Sequence, residues 1–173
     1  MEREGLLELG GVGVTIIGPD IEVGQEAPGF RVQDQDWNMM DAMEATEGKV
    51  RVIAAVPSLS TSVCDRETRR FNEEAAQLGE DVRILTISTD LPFTQKNWCG
   101  AAGVENVWVL SDHMQAEFGE KFGVLIKERR ILRRAVFVVN REGKVTYVDY
   151  MPALGDEPDY EAVLAAAKDA AKS

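Results

Sequence analysis

A chain of 173 residues with a hydrophobic fraction of 45% has the length and apolar content for one domain, residues 1–173, built around a full core. Thirty acidic residues against 19 basic ones give a formal charge of −11, which repels nucleic acid and excludes a phosphate-tracking surface. The acidic start Met1-Glu2-Arg3-Glu4-Gly5, followed by no long apolar run, supports neither a signal peptide nor a membrane span, so a cytoplasmic protein with no membrane partner is expected.

In chain order, residues 6–17 read as a β-hairpin with glycines at the turn. Gly11-x-Gly13 is not a dinucleotide fingerprint, because Ile16 fills the third glycine's place and no helix follows. Residues 30–32 form a short strand, and the cluster Met39, Met40 and Met43 starts a small, core-filling helix. The apolar run 50–56 is a buried strand stopped by Pro57. A helix follows with Phe71, Ala75 and Leu78 on one face, which puts Cys64 in or near its first turn. Residues 82–88 form a strand, and Leu91-Pro92-Phe93-Thr94-Gln95 opens a short helix carrying Trp98 and Cys99. Then come a strand at 107–110, a helix over 114–122, a strand at 135–139, the turn Asn140-Arg141-Glu142-Gly143 and a strand at 144–148. Pro158 starts an alanine-rich helix that ends near Lys172. Strands alternating with helices, then a hairpin and a helix, predict a three-layer α/β domain with a mixed sheet, the order of a thioredoxin-like fold.

The chemistry is sought at the two cysteines, which in a reducing compartment are free, metal-bound or redox-active rather than a permanent staple. Cys64 follows Pro57-Ser58-Leu59-Ser60-Thr61-Ser62-Val63, so its thiol meets the unpaired N–H groups and positive dipole end of a helix, which favour the thiolate. This context, with the hydroxyls of Ser60, Thr61 and Ser62, predicts an exposed, polarised sulfur. Asp65 and Glu67 push the other way, so an arginine is needed. Arg134, at the start of a predicted core strand, is the best candidate, while Arg66 and Arg69 read equally well as surface charges. Cys99 lies beyond a whole helix, strand and turn, too far for a Cys-x-x-Cys pair, and two cysteines with one histidine cannot complete the usual zinc site. His113 reads as a solvated or satisfied residue. The spacing permits two reacting thiols on different helices of one domain.

Pro57-x-x-x-Thr61-x-x-Cys64 resembles the active-site motif of the peroxiredoxins. Ser88-Thr89-Asp90-Leu91-Pro92-Phe93-Thr94-Gln95, followed by Trp98-Cys99-Gly100, is similar to the resolving-cysteine region of the bacterial thiol peroxidases, the atypical two-cysteine branch. The tail Glu157-Pro158-Asp159-Tyr160-Glu161-Ala162 and the N-terminal hairpin resemble that branch as well. Ser60, Asp65 and Trp98 depart from its usual residues, and none of the three removes a reacting group.

The resemblance implies a thiol-dependent peroxidase acting on hydrogen peroxide and organic hydroperoxides. It assigns Cys64 as the peroxidatic cysteine and Cys99 as the resolving one, joined in an intramolecular disulfide that thioredoxin reduces. Thr61 would hydrogen-bond the peroxide, Pro57 would screen the thiolate, and Arg134 would be the active-site arginine. No cofactor and no metal are implied, and a homodimer is. Closing the disulfide needs the two Cα atoms within about 7 Å, so residues 60–68 and 92–100 are expected to loosen. A redox-responsive binding protein and an inert thioredoxin-like module are the two competing readings; turnover of peroxide separates the first, and buried, slowly labelled thiols the second.

Overall fold

The computed structural model describes residues 1–172. The chain opens with β1 (Glu2–Leu9), β2 (Val12–Ile17), β3 (Arg31–Gln33), β4 (Met39–Asp41), α1 (Ala42–Ala45) and β5 (Val50–Ala55). Next come α2 (Ser62–Leu78), β6 (Val82–Ser88), α3 (Pro92–Ala102), β7 (Trp108–Ser111), α4 (Glu117–Lys121) and β8 (Leu125–Ile126). It ends with β9 (Ile131–Leu132), β10 (Ala135–Val139), β11 (Val145–Tyr150) and α5 (Tyr160–Ala171).

Seven strands form a mixed sheet in the order β11-β10-β5-β6-β7-β3-β4, in which β5, β6 and β7 run parallel and the flanking strands antiparallel. The parallel centre explains why residues 50–56 are apolar without alternation: every residue of β5 is buried, because both faces of the sheet are covered. Side chains still alternate in direction along the strand. Val50, Val52 and Ala54 share a core layer with Ile84, Val136 and Val138, covered by Phe71 of α2, Cys99 of α3 and Val163 and Ala167 of α5. Ile53 and Ala55 share the opposite layer with Leu85, Ile87 and Phe137, closed by Phe118, Phe122 and Leu125. This is the expected three-layer α/β architecture with a mixed sheet. Both cysteine-bearing helices therefore pack on one face of it.

The N-terminal hairpin is longer than its apolar core suggests, starting at Glu2, and its two-residue turn places Gly10 and Gly11 at φ 60° and 80°, the region that tight hairpins need and glycine allows. It joins β8 and β9 in a second sheet ordered β1-β2-β8-β9, and these two short strands carry no period of their own in the sequence.

Two further expectations are corrected. Met39 and Met40 lie in a strand, not a helix, because they pair with Gln33 and Val32; the helix begins only after Asp41, whose carboxylate accepts from Met43 N–H and Glu44 N–H. The helix expected over 114–122 shrinks to α4, since Ala116 sits at φ 52° and breaks the run just before it.

Candidate active site

Pro57 is buried just past the end of β5, and the chain then turns into α2 through Ser58–Ser60. Thr61 is the helix N-cap: its hydroxyl oxygen accepts from Cys64 N–H at 3.2 Å and its O–H donates to the Ser58 carbonyl at 3.1 Å. Such a cap stabilises a helix start by about 1 kcal/mol. It also fixes Cys64 as the third residue of α2, where the helix end presents partial positive charge.

The sulfur is not exposed, as its position at a helix start suggests; Cys64 is fully buried. The physical reason is the stripe it belongs to: Cys64, Glu67, Thr68 and Phe71 recur at the spacing of one helix face, and all four are buried. Ser60, Thr61 and Ser62 remain on the outside.

Arg134, the residue just before β10, reaches this sulfur. Its Nη2 donates to Cys64 Sγ at 3.2 Å and to the Leu154 carbonyl at 2.9 Å, while Nε donates to the same carbonyl at 3.1 Å. The carbonyl thus aims the guanidinium at the sulfur. Arg134 is only 1% exposed. A hydrogen bond from a charged donor contributes about 1.5–3 kcal/mol, against about 0.3–1 kcal/mol for a helix end, so the arginine is the larger source of stabilisation for a negative sulfur. Its neighbour Arg133 is turned away, with its guanidinium 4.9 Å above the Tyr150 ring. Arg66 and Arg69 prove to be surface charges: Arg66 lies 3.7 Å from Glu157, and Arg69 pairs with Asp65 and lies over the Trp98 ring.

Glu67 belongs to the site more closely than its reading as a neighbouring negative charge suggests. It is fully buried and forms an ion pair with Arg134 Nη1 at 3.5 Å, yet neither of its carboxylate oxygens has a hydrogen-bond partner. Burial pushes its carboxyl up to about 7, and Arg134 only partly opposes this. The sequence signal was available, since a glutamate three residues after Cys64 falls on the same helix face.

Asp90 supports the loop that precedes Cys64. Its carboxylate accepts from Ser58 Oγ at 2.7 Å, Leu59 N–H at 2.9 Å and Ser88 Oγ at 2.7 Å, tying that loop to the segment entering α3.

Cys99 stands apart. It lies on the sheet-facing side of α3, in the apolar layer with Leu59 and Phe71, and its carbonyl takes part in the C-terminal cap of the helix at Gly103. Burial pushes its thiol up, and a hydrogen bond from the Gln35 amide at 3.4 Å partly offsets that. Both cysteines are free. Thr61, Cys64 and Arg134 are therefore brought together, Pro57 lies buried at the strand end behind them, and Cys99 waits on a neighbouring helix. Among the described residues, no group of three or more His, Cys, Asp and Glu side chains is placed to hold a metal ion, and no helix is long and apolar enough to cross a membrane.

The Redoxin family profile matches residues 22–164. A thiol peroxidase of Oceanobacillus iheyensis is 52% identical over 151 residues, covering 87% of this chain and 91% of the relative. A thiol peroxidase of Bacillus subtilis is 49% identical over 155 residues, covering 90% and 92%. Among solved structures, a peroxiredoxin-like protein from Aquifex aeolicus superposes with a TM-score of 0.86 at 39% identity, over 97% of this chain and 99% of that one.

Proposed function

The chain belongs to the Redoxin family, among its thiol peroxidases, and from that premise we propose that Cys64 attacks the peroxide and Cys99 resolves the product. The observation that carries this reading is the 3.2 Å hydrogen bond from Arg134 to Cys64 Sγ at the start of α2, an arrangement built to hold a negative sulfur.

In the first step the Cys64 thiolate attacks one peroxide oxygen. The S–O bond forms as the O–O bond breaks, Cys64 becomes a sulfenic acid, and the departing oxygen takes a proton to leave as water or an alcohol. Charge moves from sulfur to the leaving oxygen, so donors fixed beforehand lower the barrier. Arg134 supplies one. Thr61 supplies another by turning its O–H from the Ser58 carbonyl toward the peroxide. Pro57 screens the sulfur from bulk water.

In the second step the Cys99 thiolate attacks the Cys64 sulfur. The S–S bond forms, the S–O bond breaks, and hydroxide leaves with a proton as water. Both thiols start buried on intact helices, so the segments at 60–68 and 92–100 loosen to let the sulfurs meet. A dithiol, for which we propose thioredoxin, then supplies two electrons and returns both thiols. We extend the reading to hydrogen peroxide and organic hydroperoxides as substrates, to residues 1–173 acting as one domain, and to a homodimer in the cytoplasm.

The test is mass analysis of the protein after one equivalent of peroxide. A Cys64–Cys99 bridge within a single chain, opened again by thioredoxin, is the expected result. A bridge between chains, or an untouched Cys99 thiol, overturns the assignment.

A further inference from the structure

The loop between β3 and β4 is built around one side chain. Asp34 accepts from Asp36 N–H at 2.9 Å and Asn38 N–H at 3.0 Å, a turn that leaves Trp37 at φ 68°, a region that bulky residues rarely occupy. The loop then grips α3 at three points. The Trp37 ring stands 5.0 Å from Phe93 in an edge-on contact, Asp36 pairs with Lys96 at 2.9 Å, and the Gln35 amide donates to Cys99 Sγ at 3.4 Å. Two of these contacts lie at the exposed surface and secure the loop; the third reaches a sulfur that is otherwise set in apolar surroundings.

We propose that Gln35 is a positioning residue for the second step: it orients the Cys99 sulfur and supplies the hydrogen bond that its thiolate needs when it attacks the Cys64 sulfenic acid. This rests on Cys99 being the resolving cysteine. The attacking species is the thiolate, and Cys99 lies toward the C-terminal end of α3, where the helix dipole disfavours negative charge. Burial disfavours it too, and Gln35 acts in the opposite direction. An N–H pointed at the sulfur is therefore the local feature that helps it react. The Trp37–Phe93 contact lies at the exposed surface, so it can part as α3 loosens while the Gln35 amide stays on the sulfur.

Gln35 borders an open cleft of about 310 Å³, shared with Met40 and Trp108, which leaves room for a substituted side chain at this position. The experiment mixes reduced protein with one equivalent of hydrogen peroxide and follows two phases, oxidation of Cys64 and closure of the disulfide, by tryptophan fluorescence and acid-quenched mass analysis. Gln35→Leu is expected to slow closure about three- to tenfold, the loss of one hydrogen bond, and to displace its rate–pH curve to higher pH. Gln35→Glu, which brings an anion to the sulfur, is expected to slow closure further, and Gln35→Lys, which keeps a donor, to hold or exceed the wild-type rate. The first phase, which does not involve Cys99, serves as the reference and keeps its rate. Closure in Gln35→Leu at the wild-type rate with a superimposable pH curve, or faster than wild type, overturns the proposal while leaving Cys99 as the resolving residue. If the wild-type protein never closes a Cys64–Cys99 bridge, the assignment of Cys99 falls and this proposal with it.

Discussion

The two cysteines occupy opposite ends of two helices on the same face of one sheet, and the difference gives their sulfurs opposite electrostatic surroundings. Cys64 is the third residue of α2, under the positive end of the helix, with a guanidinium 3.2 Å from its sulfur. Cys99 lies near the last turn of α3, at the negative end, packed among apolar side chains with one neutral amide for company. Burial is severe at both sites, so it does not separate them. Fixed charge does: positive charge beside a buried sulfur favours its thiolate, and Cys64 has a guanidinium and a helix start, whereas Cys99 has a neutral amide near a helix's negative end.

The most damaging way to break this contrast is to take the charge from Cys64. Arg134→Ala is expected to lower the second-order rate of the first step about 10²–10³-fold, the cost of losing one fixed donor to developing charge. Arg134→Lys, which keeps the charge but not the fork held by the Leu154 carbonyl, should fall between the two. Stopped-flow oxidation under pseudo-first-order peroxide measures both. A rate for Arg134→Ala within threefold of wild type would remove the arginine from the account.

A smaller effect sharpens it. Glu67 shares Arg134 with the sulfur, and burial raises its carboxyl from 4.5 to about 7. A carboxyl whose pKa is higher in the folded than in the unfolded chain binds its proton more tightly when folded. Its stabilising contribution is therefore complete below about pH 4.5 and is lost as pH rises through about 7. Asp112, also buried and raised to about 7, has the same sign, although it accepts from Phe118 N–H and Gly119 N–H. Glu67→Gln should flatten the fall in stability between these limits by on the order of 1–3 kcal/mol in urea melts, and Asp112→Asn isolates the other contribution. A Glu67→Gln curve parallel to that of the wild type would show that the buried carboxyl titrates as it does in water.

Much of the Cys64 side was legible in the sequence. Pro57 ends a run that only a two-sided buried strand explains, Thr61 stands three residues before Cys64 as a cap must, and the apolar face of α2 is marked by Phe71. The spacing of Cys64, Glu67 and Phe71 also contains the buried glutamate, but residue type marks it only as a negative charge beside the thiol. That Arg134 turns toward α2 while the adjacent Arg133 lies over the Tyr150 ring is decided by tertiary packing and not by residue type. The Leu154 carbonyl that aims the guanidinium is a backbone group, and leaves no mark on residue type. Gln35 comes from a loop between two edge strands, one of them hidden in a methionine cluster with the look of a helix start. The burial of the sulfur was misread for a related reason: helix starts are commonly near the surface, and the direction of the side chain follows from the stripe rather than from the cap.

The most direct test sets the two sulfurs against each other in the first turnover, with Cys64→Ser and Cys99→Ser each given one equivalent of hydrogen peroxide and no reductant. The account predicts that Cys99→Ser consumes that equivalent at the wild-type rate and ends as a Cys64 sulfenic acid, while Cys64→Ser leaves the peroxide untouched. Consumption at the wild-type rate by Cys64→Ser, with oxidation found on Cys99, would contradict it.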